Sequence, residues 1–118
     1  MKRVVKKPLR LMTRAQVVSS LDDKAIAHRL EFLRESKGLS QQSFAQMLGC
    51  LQSTYSNWVR GKDRIPPHYA ARVAQICGVS LDFIYTGNLS LLPANLVTLF
   101  AAWGSSPDAP LSESDDAE

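Results

Sequence analysis

The sequence predicts an all-α protein, and three observations carry that prediction. Apolar residues recur at helical spacing, as in Ile26, Leu30 and Leu33 and again in Tyr69, Val73, Ile76 and Cys77. No segment alternates with a period of two, and no hairpin turn signal is present. Glycines and capping residues punctuate residues 22–88 at short intervals, which divides them into five short helices. Helices this short do not persist singly, so the five must share one core. A sixth helix is expected after them.

The elements follow in order. From Asp22 to Gly38, Ile26, Leu30 and Leu33 form the apolar face of an amphipathic helix. Asp22 or Asp23 can accept from the free N–H groups at its start, and Gly38 supplies a left-handed stop. His28 on this helix reads as a surface or boundary residue. Ser40 caps a second, short helix with Phe44, Met47 and Leu48 on its apolar face, ended by Gly49. Ala45 is small enough to let another helix approach closely. A third helix runs from Leu51 or Ser53 to Arg60, with Tyr55 and Trp58 as its buried side and Gly61 as its C-cap. Ile65-Pro66-Pro67 breaks the chain, and proline suits the first turn of the fourth helix, which Gly78 stops. Ser80 caps a fifth, with Asp82 complementing the helix dipole, Leu81, Ile84 and Tyr85 as apolar members and Gly87 as its end. After Asn88, Pro93 opens the sixth helix, whose stripe is Leu96, Leu99, Phe100 and Trp103. That stripe either packs on its own domain or forms a dimer contact, because an apolar stripe beyond a complete small domain needs covering.

The 118 residues, 45% of them apolar, suffice for one modest domain with tails. Four regions are expected: a basic arm at 1–21, the helical domain at 22–88, the sixth helix at 89–104 and an acidic, disordered tail at 105–118. Residues 1–14 carry six cations and no acid, and residues 108–118 carry five acids and no base, within a net charge of +3. A basic arm of this kind suggests a polyanionic partner as much as a solvated tail. Cys50 and Cys77 form no C-x-x-C pair, so both read as reduced thiols in a cytoplasmic protein. No apolar run approaches the ~20 residues that span a membrane, and Arg10 and Arg14 interrupt any signal-like stretch. Two distant histidines, no paired carboxylates and no glycine-rich phosphate loop leave nothing to assign as acid, base or nucleophile. Neither an enzymatic activity nor a metal or other cofactor is indicated.

Function concentrates around Gly49. Ala45 sits where two short helices cross, Gly49 makes the tight turn, and Tyr55 and Trp58 bury the second helix against the first. This is the spacing of a helix-turn-helix, whose second helix enters the major groove of DNA. LSQQSFAQMLGCLQSTYSNWVRGK, followed by GVSLDFIYTG, resembles the lambda-repressor-like (Cro/Xre) helix-turn-helix family over about residues 24–88. The combined signal of Leu39-Ser-Gln, Ala45, Leu48-Gly49, Trp58, Arg60-Gly61-Lys62 and Gly78-Val-Ser-Leu-Asp82 is specific, although each piece alone is weak. The resemblance implies a compact five-helix DNA-binding domain.

The side chains suit that partner. Amides bond base edges in a bidentate way, and hydroxyls serve donor or acceptor edges. On a 3.6-residue period Gln52, Ser53, Ser56 and Asn57 share the face away from Tyr55 and Trp58, and these four are the candidate base readers. The resemblance places Gln52, Ser53 and Asn57 at positions that usually touch bases; Gln52 and Asn57 would favour adenine. Phosphate contacts are expected from Gln41 at a helix N-terminus, from Arg60, Lys62 and Arg64, and more weakly from Thr54. His68 could join them.

Three residues depart from the family pattern. Leu51 stands where Ser or Thr usually caps the reading helix, a loss of about 1 kcal/mol. Ser53 could cap instead and start the helix later, which would move Gln52 off it. Tyr55 replaces a branched aliphatic, so its hydroxyl needs a partner. Val59 replaces a common acid after the Trp. The leading expectation is a sequence-specific transcriptional regulator, a phage- or bacterial-type repressor, binding double-stranded DNA as a homodimer. A second is the antitoxin of a toxin–antitoxin pair, with residues 91–103 and the acidic tail binding the toxin; the small protein partner is a toxin or an antirepressor. A third is a protein-interaction module on the same fold, against which the cations around Arg60 argue.

Overall fold

The computed structural model of the chain describes residues 13–14 and 21–104. The basic-arm cations other than Arg14, and the acidic tail, lie outside the described residues. Among those described there are six helices and no strand: α1 Asp23–Ser36, α2 Gln41–Leu48, α3 Gln52–Val59, α4 Pro67–Cys77, α5 Leu81–Thr86 and α6 Ala94–Trp103. This is the all-α arrangement expected from the sequence.

α1 is the centre of the domain, with α3, α5 and α6 packed on it. It is therefore buried on nearly all sides from Ala25 to Arg34, not along one stripe. That covers His28, Arg29, Glu31 and Arg34, four polar residues that periodicity alone assigns to solvent. The reading of His28 as a surface or boundary residue is corrected: it is 3% exposed, and its Nε2 bonds the Gly104 carbonyl. Phe100 and Trp103 of α6 flank its ring. Burial pulls the His28 pKa down, chiefly by desolvation, and the neighbouring Arg29 charge acts in the same direction. A neutral ring donates Nε2–H to Gly104 O, and its Nδ1 has no partner.

The caps follow the expected chemistry with two changes. Ser40 Oγ accepts from Ser43 N at 3.0 Å, and Ser80 Oγ accepts from Phe83 N at 3.1 Å. Asp22, by contrast, sits at the N-cap of α1 without a side-chain cap bond; Asp23 is drawn instead into an ion pair with Arg64. At the end of α3 the C-cap is Arg60, and Gly61 follows it with φ +73°. A Cβ at Gly61 would also stand 3.0 Å from Lys24 Cγ of α1, so that side chain would have to shift to admit one.

The core joins Leu30 and Leu33 of α1 to Phe44 and Leu48 of α2, Tyr55 and Trp58 of α3, Val73 of α4 and Phe83 and Ile84 of α5. Two apolar assignments change. Phe83, not Leu81, is the fully buried residue in the first turn of α5, and Met47 of α2 is left exposed. In α6, Leu96 and Phe100 are buried, with the Phe100 ring centroid 4.9 Å from Phe32 and 5.2 Å from Phe83. Trp103 packs 6.0 Å from Phe32. Three of the four stripe residues are thus spent on the chain's own core, and Leu99, 49% exposed, alone faces out. Among the described residues, no helix is long and apolar enough to cross a membrane.

Candidate nucleic-acid interface

The turn between α2 and α3 is set by Gly49, at φ +82°. Its N–H donates to Gln46 O at 3.1 Å, and Cys50 N–H donates to Ala45 O at 3.0 Å, which satisfies the open carbonyls at the end of α2. A residue with a Cβ is strained at that φ. Ala45 is fully buried beneath the turn, where α2 meets α3.

α3 begins at Gln52, with Leu51 as a cap that makes no side-chain bond. The alternative start at Ser53 is therefore not adopted. Tyr55 N–H donates to Leu51 O at 3.1 Å, so the backbone closes the first turn without a capping oxygen. Leu51 itself is 72% exposed at the mouth of the helix.

The seating of α3 is aromatic and polar at once. Tyr55 meets Phe44 edge-on at 5.6 Å, and Trp58 lies 6.0 Å from Tyr55 and 5.3 Å from Tyr69. The Tyr55 hydroxyl donates to Glu31 Oε2 at 2.8 Å, which supplies the partner the sequence requires. Arg34 holds the same carboxylate by two bonds, Nη2 to Oε1 at 2.7 Å and Nε to Oε2 at 3.0 Å. Arg34 Nη1 also donates to Leu39 O, at 2.6 Å, in the turn before α2. One buried network thus ties α3 to α1 and to the entry of α2. Desolvation, and then the Glu31 charge, push the Tyr55 hydroxyl well above its usual pKa, so it stays a donor.

The opposite face of α3 is polar and open. Ser53 is exposed there, and Gln52, Thr54, Ser56 and Asn57 are half-buried around it. Ser56 is partly committed, since its hydroxyl donates to Gln41 Oε1 at 3.3 Å. That bond ties the first residue of α2 to the middle of α3 through the Gln41 oxygen. The Gln41 amide nitrogen is the donor an anion would meet. Asn57 Oδ1 accepts from Arg60 Nη2 at 3.0 Å, and the Asn57 carbonyl accepts from Lys62 N at 2.9 Å.

The cations divide in two. Arg60 and Lys62 are exposed just beyond α3. Arg64, expected with them on phosphate, is turned toward the start of α1, where Nε meets Asp23 Oδ1 at 2.8 Å and Nη2 meets Leu21 O at 2.5 Å. His68 is exposed, with its ring 4.2 Å from Tyr69. Cys50 and Cys77 are free thiols, and burial raises both, Cys77 to about 11. Among the described residues, no group of three or more His, Cys, Asp or Glu side chains is placed to hold a metal.

Sequence reasoning missed Glu31, Arg34 and Arg29. The first two are an opposite-charge pair at i, i+3, a pattern that on most helices is a solvated surface pair. The third donates from Nε to Ile84 O at 2.9 Å, and burial lowers its pKa to about 10. The available signal was the demand of Tyr55 for a buried partner.

Residues 30–84 match the family model described as Helix-turn-helix, a span from the middle of α1 to α5. No curated protein and no solved structure gave a match. The matched span contains the Gly49 turn, the buried pair Tyr55 and Trp58 and the open face of α3. Over residues 30–84 the match is to the lambda-repressor-like, Cro/C1-type helix-turn-helix family, a DNA-binding family and not a family of enzymes.

Proposed function

We propose that the chain is a sequence-specific transcriptional repressor of phage or bacterial type, acting in the cytoplasm and binding a two-fold operator as a homodimer. The observation that carries this reading is the division of α3. Its aromatic side is held by Phe44, Tyr69 and the Glu31 carboxylate, while its amides and hydroxyls face outward, with Arg60 and Lys62 exposed beyond its end. In this reading α3 lies in the major groove, Gln52, Ser53 and Asn57 meet base edges, and Ser56 holds Gln41 for a phosphate. Arg60 and Lys62 grip the backbone, and Thr54 lies at the edge of that contact. A second copy would be received by the apolar side chains left outside the core, Leu99 with Leu89 and Leu91. Repression would follow from occlusion of the promoter.

The test is selection of bound sites from random duplex DNA. The expected result is one recurrent site with two symmetric half-sites whose centres lie ~34 Å apart, one helical turn of DNA. A pool with no recurrent site would contradict sequence-specific binding, and a single asymmetric site would contradict the two-fold dimer.

A further inference from the structure

We infer that Asn57 and Arg60 act as one composite reader that selects guanine, so that Arg60 sets base choice as well as phosphate grip. This rests on the reading of α3 as the helix that enters the major groove. The observation is the 3.0 Å bond from Arg60 Nη2 to Asn57 Oδ1, one helical turn apart on the outer side of the last turn of α3.

An asparagine amide by itself offers an acceptor beside a donor. That pair complements adenine, which presents the N7 acceptor and the N6 donor. Here one of the two lone pairs of that acceptor is taken by a cation, which stands beside the other. Asn57 also offers its Nδ2–H donors, and Arg60 its remaining guanidinium donors. The surface offered to a base is therefore dominated by donors. Guanine, with O6 and N7, presents two acceptors side by side. Adenine would set its N6–H₂ against an N–H, cytosine presents a donor, and thymine has a single acceptor beside its methyl group. Guanine is the base that such a surface satisfies.

The backbone beneath the pair is fixed. The Asn57 carbonyl accepts from Lys62 N at 2.9 Å and from Asp63 N at 3.4 Å, and Arg60 N donates to Ser56 O at 2.9 Å. Gly61, at φ +73° and against Lys24, turns the chain back immediately after Arg60. Asn57 is also half-buried, which restricts its rotamers.

The experiment compares sites selected from random duplexes by the full chain, by Asn57→Ala and by Arg60→Ala, with thermal melting to establish that each variant is folded. The position that loses its preference in Asn57→Ala should be guanine in the unsubstituted protein's site. In Arg60→Ala the Asn57 oxygen is released, and the same position should change to adenine, with a swing of roughly tenfold, within the discrimination of a good bidentate contact. Adenine at that position in the unsubstituted site would overturn the inference while leaving DNA recognition by α3 intact. So would an Arg60→Ala variant that keeps guanine and only binds every sequence more weakly. Failure of the full chain to bind any duplex at low salt would remove the reading of α3 itself.

Discussion

The Tyr55 hydroxyl donates a 2.8 Å hydrogen bond to Glu31 Oε2, and both side chains are sealed from solvent. The bond spans α3 and α1, and Arg34 neutralises the carboxylate from its other side. A buried carboxylate is tolerable only when its charge is paired and its lone pairs are used. The consequence is that the reading helix is anchored by a polar contact in addition to its aromatic rings.

Tyr55→Phe keeps the ring and removes the donor, so it should destabilise the fold by about 1.5–3 kcal/mol, the range for a hydrogen bond to a charged group. Arg34→Ala strands the Glu31 charge and should cost more, about 3–5 kcal/mol. Urea unfolding measures both. A Tyr55→Phe midpoint equal to that of the unsubstituted protein would mean that the bond contributes nothing.

His28 gives the fold a pH dependence of definite sign. Its folded pKa lies below the ordinary value because burial disfavours the charged ring. The unfolded chain takes up the proton first, near pH ~6.5. Stability is thus complete above that value and declines as the pH falls through the window beneath it, by at most about 1.4 kcal/mol per pH unit. In His28→Phe this component vanishes. The loss of stability from pH 7.5 to pH 5 should therefore be smaller in the variant, and equal losses would exclude His28 as the source.

Leu51 occupies the cap of α3 with no oxygen to offer. Leu51→Ser supplies one and exchanges a 72% exposed aliphatic for a polar side chain. The variant should gain about 1 kcal/mol in denaturant unfolding. A lower midpoint would mean that Leu51 makes a contact the cap argument leaves out.

Much of this was legible in the sequence. The Gly49 turn, the Ser40 and Ser80 caps and the burial of Tyr55 and Trp58 follow from local chemistry and period, and the structure has each of them. What was not legible depends on how many neighbours a helix has. α1 is enclosed by three other helices, so a two-sided pattern misplaces His28, Arg29, Glu31 and Arg34. Arg64 shows the same limit on the candidate site, because its partner Asp23 lies 41 residues away in sequence. The Ser56–Gln41 and Asn57–Arg60 bonds are likewise invisible to a helical wheel, which shows faces and not pairings.

The two outcomes for α6 can be separated by neighbouring residues. Phe100→Ala opens a cavity among Phe32, Phe83 and His28 and should cost about 3–5 kcal/mol. Leu99→Asp touches an exposed position and should leave stability within about 0.5 kcal/mol, while shifting sedimentation from dimer to monomer. An unchanged mass in Leu99→Asp would remove Leu99 from any interface.

The most direct test is the salt dependence of affinity for the selected duplex, measured for the unsubstituted chain and for Lys62→Ala. If α3 lies in the groove with Lys62 on the backbone, log K should fall linearly with log salt, by about 0.9 for each phosphate neutralised, and Lys62→Ala should lower that slope by about 1 while weakening all sequences alike. A slope near zero, or a slope unchanged in Lys62→Ala, would contradict the placement of this face against DNA.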